Sequence, residues 1–221
     1  MICVILEFLR NRAYNQYIEK QISSEEFMKQ LYPIFLASKS PRRREILTLM
    51  GLTFEVADSD ADENITASSP EALVEELSLR KAELAAVPDG KAVIIGADTV
   101  VSYENSILGK PKDEEDAFRT LRLLSGRYSS VYTGVTIIVC DENRTCCTFH
   151  TRSEVLFDDL SDEEIREYIA TGEPMDKAGA YGIQGRFGRH IRSLSGDYYN
   201  VMGLPMNDLY KKLKELGIIF I

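Results

Sequence analysis

The sequence is short of the side chains that most often carry chemistry on their own. Its 221 residues include two histidines, four cysteines and no tryptophan. The cysteines (Cys3, Cys140, Cys146 and Cys147) form no C-x-x-C pair, so with so few histidines a zinc site is not expected. Adjacent Cys146 and Cys147 read as small core or strand residues rather than a redox pair. A reducing, cytoplasmic compartment is the expectation. No apolar run reaches the roughly 20 residues that a membrane span needs. Met1 to Leu9 is apolar, but Glu7 interrupts it and no small-residue cleavage site follows, so a signal peptide is not expected. Positive charge is also in deficit, with 26 Lys and Arg against 35 Asp and Glu for a formal net charge of −9. That balance argues against general affinity for nucleic acid or an anionic membrane, both of which need a basic surface. Any anionic partner must find positive charge concentrated locally.

What is present is enough for one sizeable core. Residues 1–33 read as a polar, helix-prone lead-in that ends at Pro33, and residues 34–221 as a single domain. Within it, Ile34 to Ala37 is a short apolar run of buried-strand type. Ser40 as N-cap and Pro41 at the first helical position start a helix that runs to Met50 and stops at Gly51. Ser69-Pro70 starts a second helix, expected to reach about Val87. Val93–Ile95 and Val100-Val101 point to a buried strand. Asp113 to Leu124 is a third helix. Val131–Cys140 and Thr145–Phe157 form a strand pair across Asp141-Glu142-Asn143. Ser161 and Glu164 are spaced as a capping box. Ile191–Leu194 and Tyr198–Met202 read as strands, and Met206 to Leu216 as an amphipathic helix. This alternation indicates an α/β fold.

The sharpest local signal is Ser38-Lys39-Ser40-Pro41-Arg42-Arg43-Arg44, directly after the first core strand. A helix N-terminus carries unpaired N–H groups and a partial positive charge, so added cations there favour a bound anion. The plainer alternative is that long arginine stems splay into water. Asp58 to Glu63 is acidic, but Glu63 stands where a calcium loop needs glycine, so that reading fails. These carboxylates are otherwise a surface loop or hold Mg²⁺. Asp98, in Gly96-Ala97-Asp98-Thr99, lies inside an apolar strand, where a carboxylate is costly unless paired or bound to metal. Lys81 falls on the apolar arc of its helix, so it either snorkels to water or reaches a buried anion. Lys110 is a loop lysine. Gln184, in a glycine-rich segment, offers both donor and acceptor for a base edge. His150 sits in a strand, and His190, between Arg189 and Arg192, reads as a surface residue.

Taken together, these segments resemble the Maf family. Leu36-Ala37-Ser38-Lys39-Ser40-Pro41-Arg42-Arg43 resembles its signature L-A-S-x-S-P-R-R. Gly96 to Thr99, Gly109 to Pro111, Leu124 to Arg127 and Tyr132 to Val135 follow in the family's order. Asp176 to Gly185 and Gly203 to Pro205 complete the series, and the resemblance covers roughly Ile34 to Gly217. It implies an α/β fold of the Maf/ITPase kind, with a mixed sheet, flanking helices and two lobes around a deep cleft, often in a homodimer. It further implies hydrolysis of a nucleoside triphosphate between the α and β phosphates, with Mg²⁺ or Mn²⁺. By the same resemblance Ser38, Ser40, Arg42 and Arg43 bind the triphosphate, with Lys81 and Lys110 adding charge. Asp98 is then expected to activate water and Glu63 to share the metal with it, or the reverse.

Gly-Ala-Asp-Thr with the segment ending at Gln184 resembles the dTTP/UTP branch, which implies a role in clearing the nucleotide pool. Alternative substrates are 7-methyl-GTP or a methylated pyrimidine nucleotide, and an alternative class is a nucleotide-binding regulator of septum formation. The family commonly has G-R-x-H where Ser129 stands here, a departure expected to touch packing more than chemistry. Members usually begin a few residues before the first strand, so Met28 is a candidate alternative start.

Overall fold

In a computed structural model, residues 29–62, 65 and 67–220 are described. The first half of the chain forms β1 (Lys29–Gln30), β2 (Ile34–Ala37), α1 (Pro41–Leu49), β3 (Phe54–Val56), α2 (Pro70–Glu83), β4 (Ala92–Tyr103) and β5 (Ser106–Leu108). The second half forms α3 (Glu114–Leu124), β6 (Tyr128–Cys140), β7 (Thr145–Phe157), α4 (Asp162–Ile169), β8 (Ile191–Ser195), α5 (Tyr198–Met202), α6 (Met206–Glu215) and β9 (Ile219–Phe220). Short 3-10 turns fill the stretch between α4 and β8.

A seven-stranded mixed sheet runs in the order β3-β2-β4-β6-β7-β8, with β5 paired to β4. Only the β2–β3 and β2–β4 pairs are parallel. Alternate residues of the central strands face opposite layers, as the period of a strand requires. Ile34, Leu36, Val93, Ile95, Val135 and Ile137 pack with Ile46, Leu47, Leu209 and Leu213 of α1 and α6. Ala37, Ile94 and Ile138 pack on the other face with Ala82 of α2. Because helices cover both faces, these strands read as nearly continuous apolar runs. A second core surrounds Val131, Val155 and Phe157, where α3, α4 and the segment carrying Tyr181 and Phe187 meet.

Several sequence expectations change here. Tyr198–Met202 is a helix, not a strand. Its Tyr and Val residues favour strands, but the Asp197 carboxylate accepts from the N–H groups of Tyr199 and Asn200 and so starts a helical turn. The helix α2 ends at Glu83 rather than near Val87. His190 is buried, tilted against the Phe187 ring, rather than on the surface. Cys146 is exposed on β7, so it is a strand residue but no part of the core. Lys29 and Gln30 pair with Phe220 and Ile219 as a two-stranded sheet instead of extending a helical lead-in. No helix among the described residues is long and apolar enough to cross a membrane.

Candidate active site

The register of β4 opens the site. Val93 to Gly96 pair with β2 along one edge, and Val101 to Tyr103 pair with β5 along the same strand. Between them, Ala97 to Val100 pair only with β6. The crevice therefore begins where β2 ends, at the carboxyl end of a parallel strand, the usual ligand position in such sheets. Strand alternation then divides the labour. Asp98 falls on the α2 face, and Thr99 falls on the face covered by α1 and α5.

On the α2 face, the helix lies unusually close to the sheet. A Cβ on Gly134 would stand 2.1 Å from the carbonyl oxygen of Val74, and one on Gly96 would stand 2.3 Å from that of Ser78. Only glycine permits this approach. It delivers Lys81 to Asp98, with Nζ donating to Oδ1 at 2.6 Å and both side chains 13% exposed. Of the two readings of Lys81, the structure thus selects the buried anion. No described side chain bonds the second carboxylate oxygen of Asp98, a residue that lines the crevice.

On the opposite face, Arg43 is 9% exposed and spans three parts of the chain. It donates to the Gly203 carbonyl at 2.8 Å, to Ser38 Oγ at 2.9 Å and to Thr99 Oγ1 at 3.2 Å. Thr99 Oγ1 in turn lies 2.9 Å from Thr133 Oγ1, which donates to the Asn200 carbonyl. Thr133 spends its one hydrogen on Asn200, so in the threonine pair the donor is Thr99, whose hydroxyl also has the Gly203 carbonyl at 3.4 Å, and the Thr99 oxygen accepts from Arg43. The Ser38–Ser40 turn has its own fastening, with the Ser40 N–H donating to Ser38 Oγ at 3.3 Å. The expected side-chain cap by Ser40 is not formed.

These groups line a cavity of about 730 Å³, which brings together Ser38, Ser40, Arg42, Arg43, Lys81, Asp98, Lys110 and Gln184. Arg44 of the same cationic turn is exposed and does not line the cavity, nor do Asp58, Asp60 and Asp62 of the acidic loop, and Glu63 lies outside the described residues. The Gly179 N–H donates to the Gly109 carbonyl at 3.0 Å, tying the glycine-rich segment to the loop of Lys110. Ser129, at the position of the family histidine, is buried and lies 3.3 Å from the hydroxyl of Tyr181, a residue of the cavity wall. Burial raises the Tyr181 phenol far above its ordinary value, so it stays neutral. A separate cavity of about 450 Å³ between Met50, Tyr199, Met206 and Tyr210 is lined by no lysine or arginine and suits no polyphosphate.

Sequence reasoning finds neither Thr99 and the Gly203 carbonyl as partners of Arg43 nor Thr133 as the partner of Thr99, and it assigns no role to Asp176 and Lys177, which also line the cavity. Threonine in a strand reads simply as a strand former. Only the pairing of β4 with β6 reveals that Thr99 and Thr133 face each other.

The fold is α/β, and one cavity gathers the cations of a strand-to-helix turn beside a lysine-paired carboxylate. Comparison with known proteins narrows this. The chain belongs to the Maf family, matching the Maf-like protein family model over residues 33–216. A dTTP/UTP pyrophosphatase of Agathobacter rectalis is 50% identical over 202 residues, covering 84% of this chain and 98% of that protein. One from Lachnoclostridium phytofermentans is 48% identical over 191 residues, covering 85% and 97%. Among solved structures, the Ham1 protein of Staphylococcus aureus aligns with 83% of this chain and 99% of its own at 16% identity and a TM-score of 0.46. That likeness is too distant to bear on function.

Proposed function

We propose that this chain is a nucleoside triphosphate pyrophosphatase that hydrolyses dTTP and UTP to the monophosphate and pyrophosphate, clearing them or related nucleotides from the pool. The observation that carries the reading is the partly buried Lys81–Asp98 pair in the wall of a cavity that also holds Arg42, Arg43 and Lys110. The names of relatives about half identical over nearly their full length support the same reaction and the same substrates.

The triphosphate lies against the Ser38–Arg43 turn, where backbone N–H groups and guanidinium charge meet its oxygens. Lys81 and Lys110 add charge that grows in value as negative charge develops on the leaving group. Asp98 orients the attacking water and takes its proton as the water oxygen bonds to the α phosphorus. The bond from that phosphorus to the α–β bridging oxygen breaks, and pyrophosphate departs with the bonding electrons. Gln184 faces the base, its amide matching a uracil or thymine edge that both donates and accepts.

No group of three or more His, Cys, Asp or Glu side chains among the described residues is arranged to hold a metal ion. Mg²⁺ does not need one, since it binds through one or two carboxylates together with substrate phosphates. Asp98, whose Oδ2 no described side chain bonds, fits that habit, and Glu63 is the second candidate carboxylate. A divalent ion bound there neutralises charge on the phosphate oxygens.

The test is pyrophosphate release from a panel of nucleoside triphosphates with Mg²⁺ or Mn²⁺ and an EDTA control. Preferential turnover of dTTP and UTP, lost on chelation, is expected. Turnover of a purine or methylated nucleotide instead would keep the reaction and replace the substrate. A folded protein that binds nucleotide yet releases no pyrophosphate would favour the regulatory binder.

A further inference from the structure

The cavity contains a carboxylate for which the reaction above has no use. Asp176 lies at the end of the 3-10 turn Glu173–Asp176, across the cavity from α1. Its Oδ2 accepts from Arg42 at 3.2 Å, and its Oδ1 accepts from Lys177 at 2.7 Å. Lys177 is the fixed member, 13% exposed and also donating to the Glu173 carbonyl at 2.6 Å. The Asp176 side chain is 66% exposed and the Arg42 side chain 30%. Partial burial pushes the Asp176 carboxyl up, but the bonds and charges of Lys177 and then Arg42 outweigh it and hold the group below the ordinary carboxylate range.

The first turn of α1 contains no acidic residue of its own, although this is the end of a helix that attracts negative charge. Asp176 supplies that charge from 134 positions away. It stands where the proposed substrate must place a phosphate, against one of the cations that must grip it. Two negative groups cannot share one guanidinium edge without repulsion, and an ion pair this exposed is weak enough to exchange.

We propose that Asp176 is a resident anion that phosphate displaces. It holds Arg42 and Lys177 in position in the empty cavity and, by competing for them, limits the affinity for triphosphate and for the pyrophosphate product alike. This rests on the reading of the cavity as a triphosphate site. Competition that acts equally on substrate and product changes binding without changing the chemical step. Asp176 is thus a positioning residue that also sets how readily pyrophosphate leaves.

Titration of inorganic pyrophosphate into wild type, Asp176→Asn and Asp176→Ser, each checked for folding by its thermal melt, tests this without needing turnover. Both variants should bind pyrophosphate more tightly, about three- to tenfold at low salt, with the gap closing as ionic strength rises. The KM for dTTP should fall in parallel. Equal or weaker pyrophosphate binding by the folded variants would overturn the proposal. So would weaker nucleotide binding, which would make Asp176 a direct contact of the nucleoside or metal, or failure of both variants to fold, which would make it structural. Wild type that binds pyrophosphate but hydrolyses nothing would sink the proposed reaction and leave this inference standing. Wild type that binds none would sink both.

Discussion

Asp98 and Lys81 lie 17 positions apart, on a strand and a helix, and each explains the other. A carboxylate inside an apolar strand needs a partner, and a lysine on the inner arc of a helix needs an anion. Both were therefore legible as anomalies in the sequence, because each breaks the apolar pattern around it. The Arg43 contacts were not legible in the same way. Their partners lie 56 and 160 positions away, and serines and threonines break no pattern. Asp98→Asn tests the assignment most directly. The amide keeps the size of the side chain but cannot take a proton, so kcat should fall at least about 100-fold while equilibrium binding of nucleotide changes little. Steady-state rates set against titration of the same preparation separate the two. Substantial residual turnover would remove Asp98 from its role.

The elements place these residues by contact rather than by their own propensities. Most of them were readable, because apolar period and capping agree. Ser161 and Glu164 do form the capping box and Ser69 does cap α2, while Asp113, read as the first residue of α3, is its cap. The miss at α5 shows the limit, since five residues rich in tyrosine and valine take their state from one capping aspartate. Nor does a sequence show that Gly96 and Gly134, on neighbouring strands, mark the track along which α2 packs. Their effect is testable. In Gly134→Ala the new Cβ meets helix backbone at Val74 and Glu75, which cannot swing aside as a side chain would. The helix must lift, at a cost of about 1–3 kcal/mol or more, equivalent to roughly 2–4 °C in melting temperature per kcal/mol for a chain of this size. Turnover should fall as well, because Lys81 rides on the lifted helix. Gly109→Ala, with nothing within 4 Å of its new Cβ, serves as the stability control. Equal melting of the two variants would show that the close approach is not required.

At the scale of the whole molecule, the α/β class followed from alternating elements, but the closure of the domain did not. A reading that ends the lead-in at Pro33 misses how residues 29–31 join the body. β1 adds to β9, and the Leu31 N–H donates to the Ile218 carbonyl at 2.9 Å. Strands of two residues leave no periodicity to detect. Gln30 makes the join specific, since its amide donates to the Thr53 carbonyl at 2.9 Å and accepts from the Thr53 N–H at 2.6 Å. It thereby fastens the entering chain to the turn between α1 and β3, at the opposite end of α1 from the Ser38–Ser40 turn. Gln30→Ala removes both bonds and leaves a peptide that water can partly satisfy. The cost should be about 1–2 kcal/mol, at 0.5–1.5 kcal/mol net for each bond. The melting temperature should then fall by roughly 2–8 °C, with kcat and KM unchanged because Gln30 touches no part of the cavity. An unaltered melt would mean that the domain boundary lies after residue 33, as the sequence alone implied. A lower melt accompanied by lost activity would mean instead that the seating of α1, and with it the Ser38–Ser40 turn, depends on this junction.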